Sequence, residues 1–162
     1  MNKLIEGDFF PRESKVQFPW PGSTPNAFGV KQAPRILIVD DSRDFIHSAK
    51  LALDRTGRYF VCVENDATKA HQSARNFGPD LILLDIVMPE IDGGEIAAQI
   101  QADPELRRTP IIFLTALVTK AEAKAGLRIQ GHPFLAKPIT VPELIDTIEE
   151  NLPGACRVLS HT

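Results

Sequence analysis

Two aliphatic runs are broken by carboxylates. Residues 36–42 read ILIVDDS and residues 81–88 read LILLDIVM, so Asp40, Asp41 and Asp85 stand where a buried strand would stop. A third run, PIIFLT at 110–115, closes on Thr115, and Lys137 follows a short fourth run, PFLA at 133–136. Three carboxylates brought together repel one another, raise each other's pKa and need a cation. An all-oxygen set with room for water suits Mg²⁺, a hard ion that keeps part of its hydration shell. A carboxylate beside Mg²⁺, an ammonium and a hydroxyl is a constellation for accepting a phosphoryl group. The metal, Lys137 and Thr115 would hold the phosphoryl oxygens while Asp85 attacks phosphorus.

Such a site needs elements that deliver all five residues to one place. RILIVD (35–40) reads as a buried strand, and SRDFIHSAKLALDRTG (42–57) as a helix with Phe45, Ile46, Ala49 and Leu53 on one face. YFVCVEN (59–65) reads as a strand; Asp66 can cap a helix through Phe77, followed by Gly78-Pro79. DLILLD (80–85) is the third strand. The turn-rich MPEIDGG precedes a helix from about Gly94 to Ala102, and PIIFLT is the fourth strand. Thr119 can cap a helix running to about Ile129, and PFLA is a short fifth strand. Thr140 and Glu143 form a T-x-x-E capping box for a last helix carrying Leu144, Ile145, Ile148 and Leu152.

Five strands alternating with five helices predict a doubly wound parallel α/β domain. Strands 1, 3 and 4 are near-continuously aliphatic, as strands covered on both faces are. With right-handed crossovers the common five-strand order is 2-1-3-4-5, with the switch point between strands 1 and 3. Ligands bind there, outside the carboxyl ends of the strands. Asp40, Asp41, Asp85, Thr115 and Lys137 all fall on that rim. Asp85 is therefore expected at the lip of the core rather than inside it.

The chain of 162 residues is long enough for one domain with a hydrophobic core. With 18 Lys and Arg against 21 Asp and Glu, the net charge of −3 makes no electrostatic case for nucleic acid. No apolar run approaches a membrane span, and MNKLIEGDFFPRES lacks the apolar core of a secretory signal. Cys62 and Cys156 are far apart, with neither metal spacing nor a disulfide framework, so a reducing, cytoplasmic setting is expected. Residues 1–34 are a Pro-rich extension holding Phe9, Phe10, Phe18, Trp20 and Phe28, aromatics that could dock on the domain or on a partner. Residues 35–152 form the domain and 153–162 a tail.

The ordered set DD (40–41), LLDIVMPEIDG (83–93), LTA (114–116) and KP (137–138) closely resembles response-regulator receiver domains, over roughly residues 35–152. The resemblance implies the flavodoxin-like, CheY-like fold and a phosphoacceptor at Asp85 served by a histidine kinase. It implies Mg²⁺ held directly by Asp41 and Asp85, largely through water by Asp40, and by the Val87 backbone carbonyl. Thr115 and Lys137 would contact the phosphoryl group. Phe134 would be the aromatic that changes rotamer on activation, moving with Thr115. Pro138 would follow a cis peptide bond. In receivers the side chains best placed to orient a hydrolytic water lie two residues past the acceptor and two past the threonine. Here these are Val87 and Leu117, neither able to hydrogen bond, so a long-lived phosphoryl group is expected. The implied partners are a sensor histidine kinase or phosphotransfer protein and a downstream protein target on the strand 5 face. A phosphorylation-dependent homodimer is left open.

Taken singly, the residues have plainer readings. Asp41 or Ser42 could cap helix 1, Lys137 could be a surface lysine, Thr115 a strand former and Phe134 a core residue. His47, His71, His132 and His161 read as bystanders, and Arg107-Arg108 as a solvated loop. A P-loop NTPase is excluded because GxxxxGK[ST] is absent. A haloacid-dehalogenase-type phosphatase wants a second Asp where Val87 stands. An unphosphorylated receiver-like interaction module remains the alternative. The expectation is a receiver without an attached output domain, not an enzyme but a phosphoacceptor that assists its own phosphorylation and dephosphorylation.

Overall fold

Side-chain alternation divides the core into two halves, one on each face of a five-stranded sheet. The structure, a computed structural model, describes residues 32–154. The strands are β1 (Arg35–Val39), β2 (Phe60–Glu64), β3 (Leu81–Asp85), β4 (Ile111–Thr115) and β5 (Phe134–Ala136). All pairings are parallel, in the order β2-β1-β3-β4-β5. The helices are α1 (Arg43–Thr56), α2 (Ala70–Phe77), α3 (Gly93–Ala102), α4 (Lys120–Lys124) and α5 (Val141–Asn151).

Leu37, Val39, Ile82, Leu84 and Phe113 point to one face, where α2 and α3 cover them with Ala70, Ala74, Ile96 and Ile100. Ile36, Ile38, Leu81, Leu83, Ile112 and Leu114 point to the other, against Ile46, Ala49 and Leu53 of α1 and Leu144 and Ile148 of α5. Strands buried on both sides read as unbroken aliphatic runs because neither face meets water. β2, at the sheet edge, is only half-buried.

Local chemistry fixes the helix ends. Ser42, not Asp41, caps α1 by accepting the Phe45 N–H, and Gly57 closes it in the left-handed conformation. Asp92 caps α3 through the Gly94 N–H. Both Thr119–Glu122 and Thr140–Glu143 make reciprocal capping boxes.

Strand ends fall within one residue of the sequence expectation, and two helices, α2 and α4, depart further. Asp66 caps a 3-10 turn, Ala67–Lys69, and α2 begins only at Ala70. Strand β2 is one residue shorter at each end than 59–65. Helix α4 ends at Lys124, not near Ile129. Gly126 has φ 72° and Gln130 φ 49°, and Ile129 and His132 exchange backbone hydrogen bonds of 2.9 and 2.8 Å in a tight hairpin. A glycine in the left-handed region is a helix stop. The aromatic N-terminal extension, Cys156 and His161 lie outside the described residues. Among the described residues, no helix is long and apolar enough to cross a membrane.

Candidate functional site

Strand register sets the site. Val39 pairs with Leu84, Asp85 with Leu114, and Thr115 with Ala136. The residues one step further on, Asp40 and Lys137, therefore reach the same rim as Asp85 and Thr115. Asp40, Asp41 and Asp85 each place a carboxylate oxygen within 4.8 Å of the others. That spacing lets three oxygens converge on one ion, and the donor set is the hard, all-carboxylate kind that Mg²⁺ takes.

The three acids differ in exposure. Asp41 is exposed, Asp40 is fully buried at 0% and Asp85 is 6% exposed. Asp85 is thus more enclosed than a residue at the lip of the core, a correction to the sequence expectation. The return from β3 into α3 explains the enclosure. The Gly93 N–H donates to the Ile86 carbonyl at 2.9 Å, and a Cβ at Gly93 would meet the Asp85 carbonyl oxygen at 2.2 Å. Only glycine lets the chain approach the acceptor's backbone so closely.

Burial pushes the Asp85 carboxyl up to about 6, and the Asp40 charge adds to the rise, with a smaller push from Asp41. The Lys137 ammonium and the Val87 N–H, which donates to the carboxylate, oppose it. Lys137 Nζ lies 2.5 Å from Asp40 Oδ2 and 3.5 Å from Asp85 Oδ1. Asp40 Oδ1 accepts the Ser42 N–H at 2.9 Å. Thr115 is buried, and its Oγ1 accepts the Leu117 N–H at 3.0 Å. The hydroxyl proton of Thr115 stays free of that bond.

The remaining expected residues fall around this centre. The Lys137–Pro138 peptide bond is cis. Val87 and Leu117 are 57% and 72% exposed on the loops that follow β3 and β4. Phe134 is 7% exposed and belongs to the core face that holds Phe113, so its ring lies inward in this structure.

Sequence reasoning missed several participants. Phe45 brings its ring to 4.7 Å from Lys137 Nζ. The Ser42 N–H serves Asp40, and Gly93 closes over Asp85; the DGG at 92–94 was the only local signal for the latter. Two histidines have structural partners away from the acid cluster. His71 Nε2 meets Asp103 at 2.8 Å, and His132 Nε2 meets Gln101 at 2.6 Å with its ring edge-on to Phe113. Arg107 and Arg108 are exposed in the turn after α3, as expected.

The parallel sheet, its order and an acid triad at the switch point define a doubly wound α/β domain of the CheY-like kind. A family model described as the response regulator receiver domain matches residues 36–149, and the chain belongs to that family. It is 32% identical over 120 residues to the polar-differentiation response regulator DivK of Brucella anthropi, covering 74% of this chain and 97% of that one. Chemotaxis protein CheY4 of Vibrio cholerae superposes with a TM-score of 0.65 at 26% identity, over 75% of this chain and all of the other. The receiver domain of sensor histidine kinase PA1611 from Pseudomonas aeruginosa, solved with a magnesium ion coordinated in its active-site cleft, gives 0.63 at 30% identity. That match covers 74% of this chain and 98% of the other.

Proposed function

We propose that Asp85 accepts a phosphoryl group from a phosphohistidine on a sensor kinase or phosphotransfer protein, and that the phosphorylated domain signals by protein contact. The observation that carries this reading is the convergence of Asp40, Asp41 and Asp85 within 4.8 Å, with Lys137 between two of them. A bound Mg²⁺ would supply positive charge opposite the phosphoryl oxygens. Asp41, Asp85 and the Val87 carbonyl would hold it directly, and Asp40 largely through water. The magnesium ion coordinated in the active-site cleft of the PA1611 receiver supports this choice of ion.

The transfer itself is simple in outline. An ionised Asp85 oxygen forms the new O–P bond as the histidine N–P bond breaks, and the leaving imidazole keeps the electron pair. Lys137 moves from carboxylate to phosphoryl oxygen, and the free proton of Thr115 donates to another. Thr115 sits beside Ala136 in the sheet, so a shift there reaches β5 and Phe134. The β5 face is accordingly the proposed output surface. The domain is a stoichiometric acceptor that assists its own phosphorylation and dephosphorylation, not an enzyme with a separate substrate.

The test is incubation with acetyl phosphate and Mg²⁺, read by intact mass. The expected result is one added phosphoryl group, lost in Asp85→Asn and abolished by EDTA. Label that persists in Asp85→Asn, or that ignores EDTA, overturns the assignment.

A further inference from the structure

Lys137 touches more than acids. Its Nζ stands 4.7 Å from the centroid of the Phe45 ring, inside the range over which an aromatic face attracts a cation. The ring is registered to the acid cluster by the first turn of α1. Ser42 donates its N–H to Asp40 Oδ1 at 2.9 Å, and its Oγ accepts the Phe45 N–H at 3.4 Å. Lys137 closes the circuit by donating to Asp40 Oδ2. Asp40, Ser42, Phe45 and Lys137 form one loop of contacts around the ammonium.

We propose that Phe45 is a positioning residue for phosphoryl transfer, acting through Lys137; the inference rests on the acceptor reading of Asp85. Lysine carries a point charge on a flexible four-carbon stem, so its head must be placed by its surroundings. Asp40 alone would draw the ammonium away from Asp85, where it is needed. A further carboxylate would hold it more tightly but add a fourth negative charge to the cluster. An aromatic face attracts the cation with no formal charge, and so fixes the head without raising the repulsion that already acts on Asp85. Phe45 is half-buried beside Ile139 and Leu144, so packing between α1 and α5 is the competing explanation for its presence.

Two readouts separate the explanations: phosphorylation of the full chain by acetyl phosphate at fixed Mg²⁺, and the NMR shift of the Lys137 ε-methylene protons. Both are measured in wild type, Phe45→Tyr and Phe45→Leu. The leucine variant keeps apolar bulk but lacks a π face. It should lose about two- to fivefold in phosphorylation rate, the size of a partly exposed cation–π contact. The tyrosine variant should match wild type. The lysine protons should lie upfield, under the ring current, in wild type and Phe45→Tyr, and return to their ordinary position in Phe45→Leu. Equal rates in the two variants, or lysine shifts indifferent to the ring, overturn the inference while leaving Asp85 as acceptor. A comparable loss in both variants with a falling melting temperature also overturns it, in favour of packing. A wild-type chain that takes no phosphoryl group at all overturns the acceptor reading, and this inference with it.

Discussion

Asp40 and Lys137, 97 residues apart in the chain, meet at 2.5 Å on the rim of the sheet. Asp40 is sealed from solvent, so its charge depends on that ammonium and on the Ser42 N–H. A buried carboxylate stripped of its cation must find another cation or a proton. Lys137→Met should therefore cost about 3 kcal/mol in the absence of divalent cations. Saturating Mg²⁺ should stabilise the variant more than it stabilises wild type, since the ion then supplies the only opposing charge. Urea unfolding with and without Mg²⁺ checks both statements. A variant as stable as wild type without metal would show that Asp40 does not need this partner.

Asp85 should make the metal-free protein less stable at neutral pH than in mild acid. Its folded pKa, about 6, lies above the ordinary aspartate value near 4. The folded state thus binds the proton more tightly than the unfolded chain. The stability it contributes is fully present below about pH 4 and is lost as pH rises through about 6. Asp85→Asn removes the titration. Without metal it should exceed wild type by about 1–2 kcal/mol at pH 7.5, with the gap closing below pH 6. Mg²⁺ should pull the Asp85 pKa down and shrink the gap at neutral pH. The same titration limits the chemistry, because only ionised Asp85 attacks phosphorus; phosphorylation by acetyl phosphate, which needs Mg²⁺, should fall in acid, but only below the metal-lowered pKa rather than at about 6. Denaturation of the two proteins across pH 4–8 is the measurement, and a gap independent of pH would count against the raised pKa.

The parts of this molecule that could be read in advance are those governed by short-range rules. Runs such as ILIV and LILL announce strands buried on both faces, and TVPE announces a capped helix, because each rule acts within a few residues. Alternation then carries the reading to the sheet order and to Asp40, Asp85, Thr115 and Lys137 on one rim. The misses arise where distant segments decide. AEAKAG has high helix propensity, yet α4 stops at Lys124 because Gly126 and the 129–132 hairpin take the chain elsewhere. Phe45 is 92 residues from Lys137, and nothing local marks the pair. The enclosure of Asp85 depends on how closely Gly93 returns to it.

Phe134 is held inside in this form. It pairs with Phe113 across β4 and β5, and its ring is almost wholly buried. Phe134→Ala should therefore cost about 3 kcal/mol through the cavity left behind. Phenylalanine has no hydroxyl, so nothing but packing biases its rotamer. If the ring takes part in output, phosphorylation should change its NMR environment along with that of Thr115 and α4, as a two-state element. Shifts confined to the neighbourhood of Asp85 would mean that the ring is simply core.

The phosphorylated state should be long-lived. Hydrolysis of an aspartyl phosphate requires a water in line with the P–O bond, opposite Asp85. A polar side chain beside that water would orient it and ease its deprotonation. Val87 and Leu117 occupy the loops that flank the acceptor, and both project into solvent rather than into the core. Neither side chain can donate or accept a hydrogen bond, and both carry bulk that a water must pass. The backbone N–H groups at the same positions are already engaged, Val87 with the Asp85 carboxylate and Leu117 with Thr115 Oγ1. Neither a side chain nor a backbone N–H of these two residues is left to hold the attacking water. Val87→Asn and Leu117→Glu should each shorten the phosphoryl lifetime several-fold, and together by roughly tenfold or more, the low end of what a positioned base contributes. Stability should change little, since exposed positions tolerate polar substitution. Decay of the phosphorylated species after removal of the phosphodonor gives the lifetimes. Polar variants that lose phosphate no faster than wild type would show that water access at these two positions does not set the rate.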